Sequence, residues 1–378
     1  MIYLDNNATT PLAPGVAEAM SETLVRIFGN PSSAHAAGAT AKRAVHQARG
    51  AVASLLGARS ETEIVFTSGG TESDNWAILG ALEVNPQKRH IVTTRVEHEA
   101  VRKLCEKLEG SGCDVTWLDV DESGRLDLDQ LRDSLRADTA IVSVMMANNE
   151  TGVIFPVAEI AAIVKENSDA LFHVDGVNAA GKTAIALKDT VIDLFSISAH
   201  KFHGPKGVGA LYVREGISMP PYLIGGGQER GHRAGTEAVH QIVGIGAAAE
   251  YARDLSGLEA VRELRATLEN RILGSAPETY INGDREDRIP NTSNISFEGL
   301  NGEMLLHGLD RAGICVSTGS ACHSGSHETS HVLQSMNVPY SRAMGSIRFS
   351  LSRLNRAEEI EIAVEVVVME AKKLREIG

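Results

Sequence analysis

The sequence predicts an α/β protein: a mainly parallel, doubly wound sheet of seven strands covered on both faces by helices, with a smaller α+β domain. Three observations predict it. Seven short β-rich runs alternate with helical stretches up to residue 213, the pattern of repeated strand–helix units. The texture changes after about Ser256. The 378 residues include 36 glycines and are 43% hydrophobic, which suits a compact chain with many tight strand–helix turns.

Helical periodicity comes first, over 15–27 and 39–56, with apolar residues three and four apart. The β-rich runs are 63–67, 90–94, 115–118, 140–146, 171–175, 194–198 and 209–213. Several are nearly continuous apolar runs, such as Leu194-Phe195-Ser196-Ile197, as expected of strands buried on both faces. Between them lie helical stretches at 74–82, 99–109, 128–135 and 157–166. Beyond Ser256 the chain reads as a long helix (258–273), strands near 295–297 and 347–351, and a final helix (357–377). The expected division is a large domain over 12–256 and a small one from 1–11 with 257–378. No internal repeat, low-complexity tract or long linker interrupts it.

Composition narrows the function. With 36 basic and 49 acidic residues the formal charge is −13, which argues against direct nucleic-acid or anionic-membrane partners. No run of about 18 apolar residues could span a membrane. The N-terminus lacks a basic segment followed by an apolar one. Cys105, Cys113, Cys315 and Cys322 are too sparse for a disulfide scaffold and lack zinc-type spacing. A cytoplasmic enzyme is the expectation.

The most informative stretch is Ser198-Ala199-His200-Lys201, where a strand delivers a lysine into a glycine-rich loop. A lone lysine after a strand is ordinarily a solvated loop residue. Here an earlier strand ends on Asp175. A lysine that can bind an aldehyde and a buried carboxylate that can hold a pyridinium proton are the two protein groups pyridoxal phosphate needs most. Thr67-Ser68-Gly69-Gly70-Thr71 follows a strand and opens a helix, where N–H groups cradle phosphate; alone, such residues also cap ordinary helices. His98 and Asn149 follow two further strands, at the rim where open α/β sheets place ligands. The glycine-rich loop through Gly225-Gly226-Gly227 and on to Thr236 is not a dinucleotide fingerprint.

Near the C-terminus, Cys322 lies in a small-residue loop and is the candidate reactive thiol, whereas Cys315 sits between Ile314 and Val316 as a structural cysteine does. Residues 319–329 offer little to bury, so a mobile loop is expected. Arg348 lies inside a strand pattern, where a guanidinium either joins an ion pair or grips a carboxylate.

Taken together, the segments 3–10, 28–33, 67–75, 96–100, 147–152, 173–175, 198–209, 225–236, 318–325 and 345–352 make the chain resemble a NifS/IscS-type cysteine desulfurase nearly end to end. That family lies within the class V aminotransferase-like enzymes of pyridoxal-phosphate fold type I. The long loop around Cys322, followed by Ser330-His331, resembles group I of the family. The resemblance implies pyridoxal 5'-phosphate as cofactor, with the small domain carrying the catalytic cysteine loop. It gives Lys201 as the cofactor-binding base, Asp175 against the pyridinium nitrogen and His98 on the ring. Gly70, Thr71, Ser198 and His200 hold the phosphate, and Thr236 reaches it from the other subunit of a homodimer. Asn149 lies near ring and substrate, and Arg348 binds the carboxylate of L-cysteine. Cys322 accepts sulfur as a persulfide while L-alanine leaves, and an iron–sulfur scaffold or a sulfur-carrier protein takes the sulfur. No resident metal is implied, although Cys322 could ligate an iron–sulfur cluster transiently.

Two departures stand out. Asn178 occupies the position of a family Gln that donates to the cofactor's phenolic oxygen, on a stem one methylene shorter. His323 and His327 follow Cys322, and with His331 they give a four-residue spacing. The alternatives left open are a related pyridoxal-phosphate enzyme such as selenocysteine lyase, and a metal or iron–sulfur protein using Cys322 and these histidines.

Overall fold

The computed structural model describes residues 1–318 and 329–377. Its large sheet comprises β1 (Ile64–Thr67), β2 (His90–Thr94), β3 (Asp114–Leu118), β4 (Thr139–Met145), β5 (Leu171–Asp175), β6 (Leu194–Ser198) and β7 (Gly209–Val213). The order is β1-β7-β6-β5-β4-β2-β3, and β7 alone runs against the others. Every residue of β2, β4, β6 and β7 is buried, which is why these strands read as unbroken runs. β3 lies at the edge and keeps exposed or half-buried polar residues, Asp114 and Thr116.

The reversed strand needs a glycine. A Cβ on Gly209 would lie 2.5 Å from the carbonyl oxygen of Ile197 and 2.7 Å from Cα of Gly69. The bare backbone therefore lets β7 close against the turn that opens the helix Gly70–Val84.

Two of the longer helices, Val239–Arg253 and Gly302–Arg311, have no counterpart among the expected elements. The sequence pattern assigns no element to 214–256, yet Val239–Arg253 is helical and packs along the helix Ala36–Leu56. Its hydrophobicity is spread around the barrel by Gly244, Gly246 and a run of alanines, so no apolar stripe marks it. A Cβ on Gly246 would sit 2.7 Å from Cα of Ala48, so the bare backbone permits the close crossing.

A second apolar cluster gathers Leu4, Leu268, Phe297, Ile347 and Val364. Around it the strands Ser317–Thr318, Ser346–Ser350, Thr292–Phe297 and Thr279–Ile281 form an antiparallel sheet in that order. Ile2–Tyr3 pairs in parallel with Ile314–Cys315 and so ties the N-terminus to this cluster. The strand expected near 295 begins at Thr292 instead, and its polar start hides it from an apolar pattern: Thr292 Oγ1 accepts from Asn7 Nδ2 at 2.8 Å and Asn294 Nδ2 donates to the carbonyl of Glu150 at 3.3 Å.

Candidate active site

Four parallel neighbours, β2, β4, β5 and β6, end at the same edge of the sheet. Register places Met145 opposite Asp175 and Asp175 opposite Ser196, so the residues just after each strand crowd together. They enclose a cavity of about 270 Å³ that Lys201, Asp175, His98, Asn149, Asn178 and the start of the helix Gly70–Val84 all line.

Lys201 closes a single 3-10 turn after β6, and its Nζ donates to the carbonyl of Asn7. Burial lowers its pKa to about 8; Arg348 adds to this, while Asp175 and Asp5 oppose it. About a tenth to a fifth of this amine is thus neutral and nucleophilic at neutral pH, far more than for an ordinary lysine. Asp175 ends β5 and is buried. Burial raises its pKa, against the pull of His98, the Val177 N–H donated to Oδ1 at 2.9 Å, and Lys201.

His98 caps the helix Glu99–Glu109, and Nδ1 accepts the Ala100 N–H at 3.1 Å. A neutral ring therefore carries its proton on Nε2. Although the ring opens to solvent, the protein packed around it lowers its pKa, with Asp175 opposing and Lys201 adding.

The far wall suits an anion. The helix Gly70–Val84 presents its first N–H groups with no side-chain cap, at Gly70 and Thr71. Ser198 and His200 line the same cavity. Burial lowers His200 to about 4, so its ring is neutral. A Cβ on Gly70 would lie 2.7 Å from Cγ2 of Val177, so this turn of helix packs tightly on the segment after Asp175. An amine, a buried carboxylate and a helix N-terminus around one cavity fit the aldehyde, ring nitrogen and phosphate of pyridoxal phosphate.

Arg348 is buried on the strand Ser346–Ser350; Nη1 donates to the carbonyl of Asn149 at 3.0 Å and Nη2 to Asp5 Oδ1 at 2.9 Å. Asn178 lines the cavity, but its amide already has partners. Nδ2 donates to the carbonyl of Asn148 at 3.1 Å, and Oδ1 accepts from Lys182 at 2.8 Å. Thr236 is exposed and does not line this cavity. Cys322, His323, His327 and all of the expected mobile loop but Thr329 lie outside the described residues. His331 Nε2 donates to the carbonyl of Glu97 at 2.9 Å.

Three groups at the site were not singled out from sequence. Asp74 also lines the cavity; burial and then Asp175 hold its pKa well above the carboxylate range. Its Oδ1 lies 3.5 Å from Nε2 of His173, which burial holds near 3 and hence neutral. The signal was available: Asp74 falls one helical turn after Gly70. Asn7 and Lys182 carry no such signal, because they come from segments distant in sequence.

The aminotransferase class-V family model matches residues 2–362. The chain is 51% identical to a cysteine desulfurase of Nostoc sp., covering all of this chain and 94% of that one. It is 47% identical to the cysteine desulfurase NifS of Azotobacter vinelandii, over all of this chain and 94% of that protein. Among solved structures, a NifS-like protein superposes with a TM-score of 0.93 at 38% identity, covering 99% of this chain and 100% of that one. DndA of Streptomyces lividans gives 0.78 at 39% identity, covering 91% and 97%. Among the described residues no helix is long and apolar enough to cross a membrane.

Proposed function

We propose that the chain, which belongs to the aminotransferase class-V family, is a cysteine desulfurase that converts L-cysteine to L-alanine and passes the sulfur to an acceptor. It depends on pyridoxal 5'-phosphate. Relatives that are cysteine desulfurases match it over its whole length at about half identity. The observation that carries the reading is one of placement: Lys201, with its lowered pKa, and the buried carboxyl of Asp175 share one cavity from neighbouring strands.

The cofactor, when bound, supplies an electron sink for charge at Cα and Cβ of an amino acid. In this reading Lys201 holds its aldehyde carbon and, once released, moves the proton at substrate Cα. Asp175 keeps a proton on the ring nitrogen. Gly70, Thr71, Ser198 and His200 would hold the phosphate, and His98 would lie against the ring with Nε2 free to carry a proton. Arg348 grips the substrate carboxylate beside Asn149. The thiolate of Cys322 forms a bond to the substrate sulfur as the carbon–sulfur bond breaks. The bonding pair stays with carbon, which takes up a proton and leaves as alanine. The persulfide then serves an iron–sulfur scaffold or a sulfur-carrier protein. In a homodimer, the exposed Thr236 would reach the phosphate of the other subunit.

The test loads the protein with pyridoxal phosphate and measures alanine and sulfide from L-cysteine. Lys201→Ala should lose the bound cofactor's visible absorbance and all turnover. Cys322→Ser should keep the absorbance, bind L-cysteine and release no sulfide. Wild-type sulfide production by Cys322→Ser would remove Cys322 from the reaction.

A further inference from the structure

Behind the cavity lies a lysine that the reaction does not use. Lys182 is buried, and its Nζ donates to Asn7 Oδ1 at 3.0 Å and to Asn178 Oδ1 at 2.8 Å. The charged groups acting on this amine, Lys201 and Arg348, are both positive. A buried lysine without a counter-charge is costly unless its hydrogen bonds matter where they are made.

Both acceptors lead into the site. Asn178 is part of the cavity wall, and with Oδ1 held by Lys182 its NH2 is turned onto the carbonyl of Asn148. Asn7 meets Lys182 through its side chain and Lys201 through its carbonyl; its NH2 donates to Thr292 at 2.8 Å and to the carbonyl of Asn149 at 3.1 Å. Asn291 Nδ2 donates to the same Asn7 Oδ1 at 3.1 Å. Asn7 thus links the cavity-wall asparagines to the lysine that faces them.

We propose that Lys182 is a positioning residue for the cofactor site: by bonding Asn178 and Asn7 together it fixes the orientation of the Asn178 amide and the carbonyl that receives Lys201. The proposal rests on the reading that this cavity holds pyridoxal phosphate. The titratable and charged groups that interact with this amine are Lys201, Arg348, His200 and His203, while Asp175 and Asp5 act on Lys201. Burial holds the Lys182 amine well below its ordinary pKa. It acts on the cavity wall through the two hydrogen bonds it donates, to Asn7 and Asn178.

The experiment is a double-variant cycle on the loaded enzyme. Lys182→Met and Asn178→Ala should each weaken pyridoxal phosphate binding by about 3- to 10-fold, the range of one buried hydrogen bond. The double variant should bind about as well as the weaker single variant, because both remove the same interaction. Lys182→Met should also shift the pH midpoint of the bound cofactor's visible absorbance, which a lysine that merely fills space would leave alone. Should Lys182→Met not fold, Lys182→Leu removes the donor with less bulk and the same two readouts apply, while Lys182→Gln, which keeps a donor on a shorter stem, should lose less than either. Multiplying losses in the double variant, or an unmoved midpoint, overturns the proposal. Wild-type protein that takes up no pyridoxal phosphate overturns the functional reading and this one together; a binding wild type with independent variants overturns this one alone.

Discussion

The guanidinium of Arg348 lies 2.9 Å from Asp5 Oδ1, joining the strand Ser346–Ser350 to the chain's first residues. Asp5 also bridges Ser350 in the backbone ladder, so the N-terminus and this strand are fixed to each other twice. Arg348 is thereby held rigidly beside Asn149, with its position set before any substrate arrives.

A pre-placed guanidinium predicts a binding defect. Charge-assisted hydrogen bonds contribute about 1.5–3 kcal/mol, or about 10- to 150-fold in affinity. Arg348→Ala should raise the KM for L-cysteine by that factor while leaving the bound cofactor's spectrum in place. Steady-state kinetics check it, and an unchanged KM excludes Arg348 from carboxylate binding.

Lys201 has a pKa near 8 rather than the ordinary lysine value. Its neutral, reactive fraction grows as pH rises through that value and then saturates. Cofactor capture by protein stripped of pyridoxal phosphate should therefore accelerate through about pH 8 and level off by about pH 9. Stopped-flow absorbance would show this. A rate still climbing steeply at pH 10 would mean that Lys201 is not held down.

Burial raises Glu97 to about 8, and its Oε1 accepts from Thr94 Oγ1 at 2.7 Å and from the Met145 N–H at 3.0 Å. The folded state thus holds a proton that the unfolded chain releases near 4.5. Stability from this group is full below about pH 4.5 and is lost as pH rises through about 8. Glu97→Gln keeps both accepted bonds and cannot ionise. Melting curves between pH 5 and 8 should fall less steeply with pH for the variant than for wild type.

Arg49 and Glu229 form a buried bidentate pair at 2.6 and 2.7 Å, and Glu229 also accepts the Phe66 N–H at 2.9 Å. The pair ties β1 to the glycine-rich loop, where Glu229 adopts a left-handed φ of 47°. Removing one partner of a buried pair costs about 3–5 kcal/mol, because the other charge is left without compensation. Arg49→Met should lower the chemical-denaturation midpoint accordingly. Replacing both residues with apolar ones should recover part of the loss, and a single variant as stable as wild type would contradict the argument.

What the amino-acid sequence determined alone is what short-range patterns encode. All seven large-sheet strands were legible as short β-rich runs between helical stretches, most clearly β2, β4, β6 and β7, which are buried along their whole length. Lys201, Asp175, His98 and Asn149 were legible because each falls at or just after the end of a strand, and parallel strands bring those ends to one edge. The helix Val239–Arg253 was hidden because its small residues serve a close crossing with Ala48 and leave no periodic stripe.

Tertiary structure alone decided which polar groups meet. Lys182 bonds Asn7 across 175 positions, Arg348 bonds Asp5 across 343, and Arg49 bonds Glu229 across 180. Propensity and periodicity act over a few residues. A buried polar side chain must instead find whichever partner the packed chain delivers, since leaving it unpaired costs the full desolvation of that group. The lysine that faces the cavity could therefore be read from one strand and its loop, whereas the lysine behind the wall became visible only once residues 7, 178 and 182 had been folded together.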